Sequence, residues 1–243
     1  MLISKHKRIH PLVSIITVNY NHSEVTCDLI ESINKLSYPN IEIIVVDNDS
    51  PDDSPFDIKA KFPNVIMTPS PINYGFAAGN NYGIMKARGK YVLLLNNDTV
   101  VTKDFLKLLI DNAKKNVKNG AFQSLLLKPN GDVDSSGDFI DSIGVAYNSK
   151  TQITAPRKIF AARAACMLIK KSLFLKLDGF DEKFFFSFED IDLGWRLWIS
   201  GYENIIIPNS IVYHVGGSTV NLFKSESSFH GIKNQLSMKI TNF

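Results

Sequence analysis

Strand and helix periods alternate along the first half of this chain. Val13–Val18 reads as a strand, Ser23–Leu36 as a helix with Ser23 as its cap, and Ile41–Val46 as a second strand. Val65–Thr68 is a third strand, short and bracketed by Pro63 and Pro69, and Phe76–Ala87 reads as a helix. Tyr91–Leu95 is an unbroken apolar run, the pattern of a strand covered on both faces in a parallel sheet. An amphipathic helix over Lys103–Asn116 follows and ends at Asn119-Gly120. Strand–helix–strand at this spacing implies right-handed crossovers and a parallel α/β sheet. The second half is less regular. Ala121–Lys128 is a strand, Pro129-Asn130-Gly131 a turn, and a Ser- and Asp-rich stretch runs to Lys150. Arg163–Lys170 is a strand, Ile191–Ser200 a helix, and Asn204–Ile207 and Ile211–His214 are short strands.

The polar residues that close these strands change the picture from fold to chemistry. The first strand ends in Thr17-Val18-Asn19-Tyr20-Asn21 and the second in Asp47-Asn48-Asp49-Ser50. The third is followed by Asn73-Tyr74-Gly75-Phe76-Ala77-Ala78-Gly79, and the Tyr91 strand by Asn96-Asn97-Asp98. Carboxyl ends of neighbouring parallel strands converge on one crevice, where open α/β sheets hold ligands. Asp47 can accept the ring N–H of uracil, thymine or guanine, or it can simply form a turn. Gly75, Ala78 and Gly79 let backbone approach a ligand and open a helix whose N-terminus favours phosphate, or they only start that helix. Asp98 among hard oxygen neighbours suits Mg²⁺ or Mn²⁺; Asn97 and Asp98 are also ordinary turn and cap residues.

A second cluster, Phe186-Ser187-Phe188-Glu189-Asp190-Ile191-Asp192, sets adjacent acids among aromatics at the start of a helix. Such a carboxylate can accept a proton from a substrate hydroxyl. A helix N-terminus should lower its pKa and weaken it as a base, and capping alone would also explain the pair. Phe184, Phe185 and Trp195 read as core. His214, at a strand end before Gly216-Gly217, can reach a metal.

Composition adds exclusions. The 243 residues carry 27 basic and 24 acidic side chains, a net charge of +3 that gives no nucleic-acid signature. No apolar run approaches the length needed to span a bilayer, and no signal-peptide core precedes the first strand. Cys27 and Cys166 form no metal pattern and fit a reducing cytoplasm. Neither G-x-G-x-x-G after the first strand nor a P-loop occurs.

The motif order VSIITVNYN, IIVVDNDS, NYGFAAGNNYG, LLLNNDT, LDGFDEKFFFSFEDIDLGWR and HVGGS resembles family 2 of the inverting glycosyltransferases. It is nearest to the bacterial and archaeal branch with rhamnosyl- and galactofuranosyl-transferases. The resemblance spans Val13 to Ser218. It implies a GT-A type, Rossmann-like α/β fold in a single domain with a mostly parallel sheet and flanking helices. It also implies a nucleotide-sugar donor, UDP- or dTDP-sugar favoured, a divalent cation, Mg²⁺ or Mn²⁺, and a glycan or lipid-linked saccharide acceptor. By the same resemblance Thr17, Asn19 and Asp47 hold the nucleoside and Asn73 and Gly75 line the diphosphate, with Asn21 and Asn97 in the donor site beside them. Asp98 is the surviving carboxylate of an Asp-x-Asp metal motif, His214 a further ligand and Asp190 the catalytic base. Asn96 stands where many relatives carry the first aspartate, so metal binding is expected to lean on the donor's phosphates. The expected layout is a tail over 1–12, a nucleotide-sugar half over 13–120, an acceptor and catalytic half over 121–222, and a helical segment over 223–243. Acceptor- or membrane-binding parts are expected to lie beyond Phe243. The expected location is the cytoplasm, with peripheral contact at the inner membrane face left open. The competing readings are an inactive GT-A scaffold or nucleotide-sugar-binding protein, a sugar-nucleotide pyrophosphorylase lacking its Gly-rich loop, and a non-catalytic carbohydrate-binding module.

Overall fold

The computed structural model describes residues 10–115 and 118–216, with Lys233, Asn234 and Met238 beyond them. The alternating half folds as its pattern implies. Strands β1 (Val13–Asn19), β2 (Ile41–Asp47), β3 (Ile66–Pro69) and β4 (Tyr91–Leu95) are joined by helices α1 (Ser23–Ile33), α2 (Ser54–Lys61) and α3 (Gly75–Lys86). All three pairings among these strands are parallel, and the β1–β2 register sets Asn19 opposite Asp47. The chain continues through β5 (Thr99–Val101), α4 (Phe105–Ala113), β6 (Asn119–Leu127), β7 (Val133–Ser135), β8 (Asp138–Ile140), β9 (Ala146–Asn148), β10 (Arg157–Ile159) and β11 (Cys166–Lys170). Helices α5 (Lys171–Lys176) and α6 (Glu189–Ile199) and strand β12 (Glu203–His214) complete it.

The sheet order is β10-β12-β6-β11-β4-β1-β2-β3, with β5 on β12 and β7 on β6, while β8 and β9 form a separate hairpin. The sheet is more mixed than the sequence pattern implies. β11 runs antiparallel to both β4 and β6, whereas β12 is parallel to β6. The β5–β12 pairing is antiparallel too.

β4 shows why its sequence is apolar throughout. Tyr91, Leu93 and Leu95 pack with α1 and α4 side chains such as Leu29 and Phe105, whereas Val92 and Leu94 pack with Ile84 of α3 and Leu173. Each face of a sheet strand takes alternate residues, so a strand covered on both sides has no polar position to spare.

Two differences from the sequence reading have local causes. α2 was not expected, because only Ser54 and Ile58 of its eight residues are buried, too few for a visible period; Pro55 in its first turn was the available signal. The two short strands expected at 204–207 and 211–214 are one, β12, with register shifts before Ile205 and between Ile207 and Ile211. Pro208 lies in the second shift, where its missing N–H breaks no ladder bond. Residues 116 and 217–218, and most of the expected 223–243 helix, lie outside the described residues. Among the described residues no helix is long and apolar enough to cross a membrane.

A buried carboxylate on β2 ties the sheet's lower edge together. Glu42 accepts hydrogen bonds from Ser14 Oγ (2.6 Å), the Arg88 amide (2.7 Å) and Arg88 Nε (2.8 Å), and Ser14 Oγ accepts from the Gly89 amide (2.8 Å). Burial alone would raise its pKa, but these hydrogen bonds and the Arg88 charge bring it below the ordinary glutamate value. Glu42→Gln should therefore cost about 1–3 kcal/mol at pH 7, the usual price of a charged hydrogen-bond acceptor. A depressed carboxylate stabilises above its unfolded pKa and loses that contribution as pH falls through its folded pKa. The stability difference between parent and variant in denaturant titrations should thus close in acid.

Candidate active site

The strand ends β1, β2 and β4 open onto a cavity of about 450 Å³ whose far wall is the turn before α6. Its first wall is held by side chains that bond to one another. Asn48 Nδ2 donates to Asn73 Oδ1 (2.8 Å) and to the Gly75 carbonyl (3.1 Å), and Asn48 Oδ1 accepts from the Tyr74 amide (3.2 Å). Gly75 has φ +81°, and a Cβ there would lie 2.3 Å from the Phe185 carbonyl oxygen. That carbonyl accepts the Phe76 amide (2.7 Å), while Asn73 Oδ1 accepts the Gly75 amide (2.9 Å). The Gly75 and Phe76 amides of α3 are thus used within the protein, and the glycine makes room for Phe185.

The nucleoside candidates are placed less directly. Thr17 and Asn19 share the α1-facing side of β1 with Val13 and Ile15, while Val18 and Tyr20 face the cavity. Asn19 is fully committed: Nδ2 donates to Asp47 Oδ1 (3.2 Å) and Ser50 Oγ (3.2 Å), and Oδ1 accepts from Thr26 Oγ1 (2.6 Å). The Thr17 hydroxyl is buried without a hydrogen-bond partner. Asp47 accepts from Ser50 Oγ (2.6 Å) and the Ser50 amide (3.2 Å), so it builds the turn that follows β2. Asn21 sits at φ +59° with its amide bonded to Ser50 Oγ (2.9 Å). Thr17, Asn19, Asn21 and Asp47 stand behind the cavity wall, whereas Asn73, Gly75, Asn96, Asn97, Asp98, Asp190 and His214 line it.

Asn96, Asp98 and His214 come together because β5 pairs with the end of β12, placing His214 opposite Thr99. His214 Nε2 lies 3.3 Å from Asp98 Oδ1 and 3.5 Å from Asn96 Nδ2, and its Nδ1 lies 2.8 Å from Asp134 Oδ2. Burial would lower the His214 pKa, but the hydrogen bonds to Asp134 and Asp98 carry it up to about 9. Asn97 Nδ2 donates to Thr26 Oγ1 (3.2 Å) and moors this turn to α1. Asn96 Oδ1 is buried with no partner, an oxygen available to a cation beside a carboxylate and an imidazole. That donor set fits Mn²⁺ or Mg²⁺. Among the described residues no three His, Cys, Asp or Glu side chains are spaced to hold a metal by themselves, so ligands from a bound molecule would have to complete the shell. Asp134, which orients the imidazole, was missed in the sequence; its only signal was the polar run Asp134-Ser135-Ser136-Gly137-Asp138.

The opposite wall carries the acid pair. Ser187 and Phe188 occupy consecutive left-handed conformations, φ +68° and +75°, immediately before Glu189 and Asp190. Asp190 Oδ2 accepts the Ala164 amide (3.0 Å), and Oδ1 its neighbour Ile191's amide (2.9 Å). The N-cap position of α6 is Phe188, which makes no side-chain cap bond, and Asp190 satisfies one first-turn amide as well as the amide of Ala164. Burial, then repulsion from Asp138, raises Asp190 to about 6, while burial and Asp190 push Glu189 well up. The expected lowering by the helix N-terminus is overcome by desolvation. Arg163, also unforeseen, lines this wall and pairs with Asp138 through Nε (3.1 Å) and Nη2 (2.9 Å). The surrounding motif is structural: Asn81 clamps Phe180 at both its amide (3.0 Å) and its carbonyl (2.8 Å), and Arg196 Nη2 donates to the Gly179 carbonyl (2.8 Å) and pairs with Asp192.

With this geometry in place, the comparisons are direct. The fold is of the GT-A type: the mannosyltransferase PcManGT from Pyrobaculum calidifontis, solved with GDP-Man and Mn²⁺, superposes with TM-score 0.67 at 18% identity over 87% of this chain and 59% of its own. Residues 14–177 match Glycosyl transferase family 2, and the chain belongs to that family. An uncharacterised protein of Sinorhizobium fredii, y4gI, is 30% identical over 224 residues, 84% of this chain but 24% of that protein. The N-acetylglucosaminyl-diphospho-decaprenol L-rhamnosyltransferase of Mycobacterium tuberculosis is 23% identical over 232 residues, 84% of this chain and 76% of the relative.

One contact from the far end of the chain holds the acid turn. Asn234, 1% exposed, donates both Nδ2 protons, to the carbonyls of Phe186 (3.0 Å) and Ser187 (2.9 Å). Met238 packs with Phe184 and Ile191 beside it. Asn234→Ala should cost about 1–3 kcal/mol in chemical denaturation, because two part-buried carbonyls lose their donor.

Proposed function

We propose that the protein is an inverting glycosyltransferase. It moves a sugar from a nucleoside-diphosphate sugar, UDP- or dTDP-sugar favoured, to a hydroxyl of a glycan or lipid-linked saccharide in cell-surface glycan assembly. The observation that carries this reading is one cavity with two chemically distinct walls. Asn96 and Asp98 at the end of β4 stand with His214 at the end of β12, and the partly buried Asp190 stands across from them. The GDP-Man and Mn²⁺ of the Pyrobaculum calidifontis mannosyltransferase and the lipid-linked substrate named for the mycobacterial relative support the donor and acceptor classes.

In this reading Asp47, Thr17, Asn19 and Asn21 build the wall behind the nucleoside, and Asn73 and Gly75 flank the diphosphate. Asn96 Oδ1, Asp98 and His214 Nε2 would hold the divalent cation, with Asp134 fixing the imidazole, and Asn97 moors their turn. Held there, Mn²⁺ or Mg²⁺ would supply positive charge against the departing diphosphate. Asp190 takes the proton of the acceptor hydroxyl as that oxygen forms a bond to the anomeric carbon. The bond from that carbon to the diphosphate oxygen breaks with its electron pair leaving on the diphosphate. A single displacement inverts the centre. Desolvation suits Asp190 to this task, since a carboxylate raised towards neutrality accepts a proton more readily.

Asp190→Asn should lower transfer by roughly 10²–10⁴ while donor affinity stays near the parent's, because the change removes only proton acceptance. With Asp190 raised to about 6, parental transfer should fall about tenfold per pH unit below that value, and the variant's residual rate should lose this limb. Donor binding without turnover in the parent would instead identify a nucleotide-sugar-binding scaffold. The metal assignment has its own check by calorimetry with UDP and Mn²⁺. Asp98→Ala should abolish Mn²⁺-dependent nucleotide binding, and Asn96→Asp should tighten it by restoring an anion. No Mn²⁺ response in the parent or either variant would overturn it.

A further inference from the structure

The β8–β9 hairpin stands apart from the main sheet and forms the end of the cavity next to the acid turn. Tyr147 lines that end yet stays 53% exposed. Its ring is stacked on Phe139, with centroids 5.9 Å apart and planes inclined by 27°, and the Arg157 guanidinium lies 5.1 Å from the Phe139 centroid. An aromatic ring steadied by a cross-strand ring and still half exposed at a cavity can serve as a platform rather than core packing.

Two buried polar atoms on residues of the same cavity lining have no partner. Asn148 Oδ1 is unpaired although Asn148 Nδ2 is fixed on the Asp134 carbonyl (2.7 Å), and Glu189 Oε2 is unpaired in a side chain that is only 4% exposed. Buried polar atoms are seldom left unsatisfied, and unpaired ones mark the place of a missing ligand. Both residues line the cavity together with Tyr147. At this end of the cavity the carboxylates of Asp138, Glu189 and Asp190 face the single cation Arg163, which is already paired with Asp138. A phosphate or carboxylate would be repelled at this end, away from the Asp98–His214 wall. A neutral ring with one apolar face and several hydroxyls matches every feature.

We propose that Tyr147, Asn148 and Glu189 form the subsite for the acceptor's sugar ring. The ring's C–H face lies on Tyr147, one hydroxyl donates to Asn148 Oδ1 and another meets Glu189 Oε2. This places a neighbouring hydroxyl towards Asp190, and it rests on the transferase reading above. Tyr147 and Asn148 are specificity-determining residues, because the hairpin decides which ring face and which hydroxyls fit.

Saturation-transfer NMR tests this with methyl glycosides of glucose, galactose, mannose and N-acetylglucosamine, each with and without Mn²⁺ and UDP, dTDP or GDP. Ring protons of at least one glycoside should be saturated by the parent and by Tyr147→Trp. Signals should drop at least fivefold in Tyr147→Ala and Asn148→Ala, and no nucleotide should displace the glycoside. Unchanged nucleotide affinity in each variant shows that the fold survives. The subsite is overturned if no glycoside is saturated, if Tyr147→Ala binds as well as the parent, or if a nucleotide competes and so claims the platform for its base. The transferase reading fails separately, if the parent binds none of the three nucleotides.

Discussion

Everything at the candidate active site depends on β4 being buried on both faces at the seam where the sheet changes direction. β1 lies parallel on one side of β4 and β11 antiparallel on the other. Strands that run the same way deliver their polar ends to one edge, and the seam is where neighbouring connections diverge and leave a crevice. Asn96, Asn97 and Asp98 leave β4 at that point, with the Asn96 amide donated to the Ala165 carbonyl (3.2 Å) just before β11. The same short segment, residues 163–165, carries Arg163 and the Ala164 amide that anchors Asp190. One strand junction therefore sets the relative position of both walls.

The acid turn is expensive for the fold. Two consecutive non-glycine residues in the left-handed region cost about 1–2 kcal/mol each. Directly after them Glu189 is buried and Asp190 partly buried, against the preference of charge for water. Such a feature persists only where its surroundings over-determine it. Here the Gly75–Phe185 contact presses from one side, Asn234 satisfies the Phe186 and Ser187 carbonyls from another, and the Ala164 amide donates to the Asp190 carboxylate. Strain and desolvation concentrated beside the reacting groups, with support from distant segments, is how a preorganised site is maintained.

The amide at position 96 alters the balance of charge rather than the geometry. A second carboxylate there would face Asp98 and compete for the imidazole of His214. With Asn96 the cluster holds Asp98 and Asp134 against one histidine, whose proton both acids retain until a cation or a ligand claims the site.

The strand and helix periods, the parallel first half and the strand-end clusters were all legible along the chain, because each is a repeat or a local exit from an apolar run. Asn73, Asn96, Asp98, Asp190 and His214 were legible for the same reason: each closes a strand or opens a helix. α2 was not, since one buried isoleucine makes no period, and neither was the reversal at β11, since pairing direction leaves no mark in a strand's own residues. Asp134, Asp138, Arg163, Tyr147, Asn148 and Asn234 belong to the site only through contacts with partners far along the chain. Their partners are Asp98–His214 across the β5–β12 ladder, and the acid turn across the hairpin and the chain's last described residues. Local sequence determines what a segment can bury; which unpaired polar groups end up facing one another is decided only when the sheet order closes.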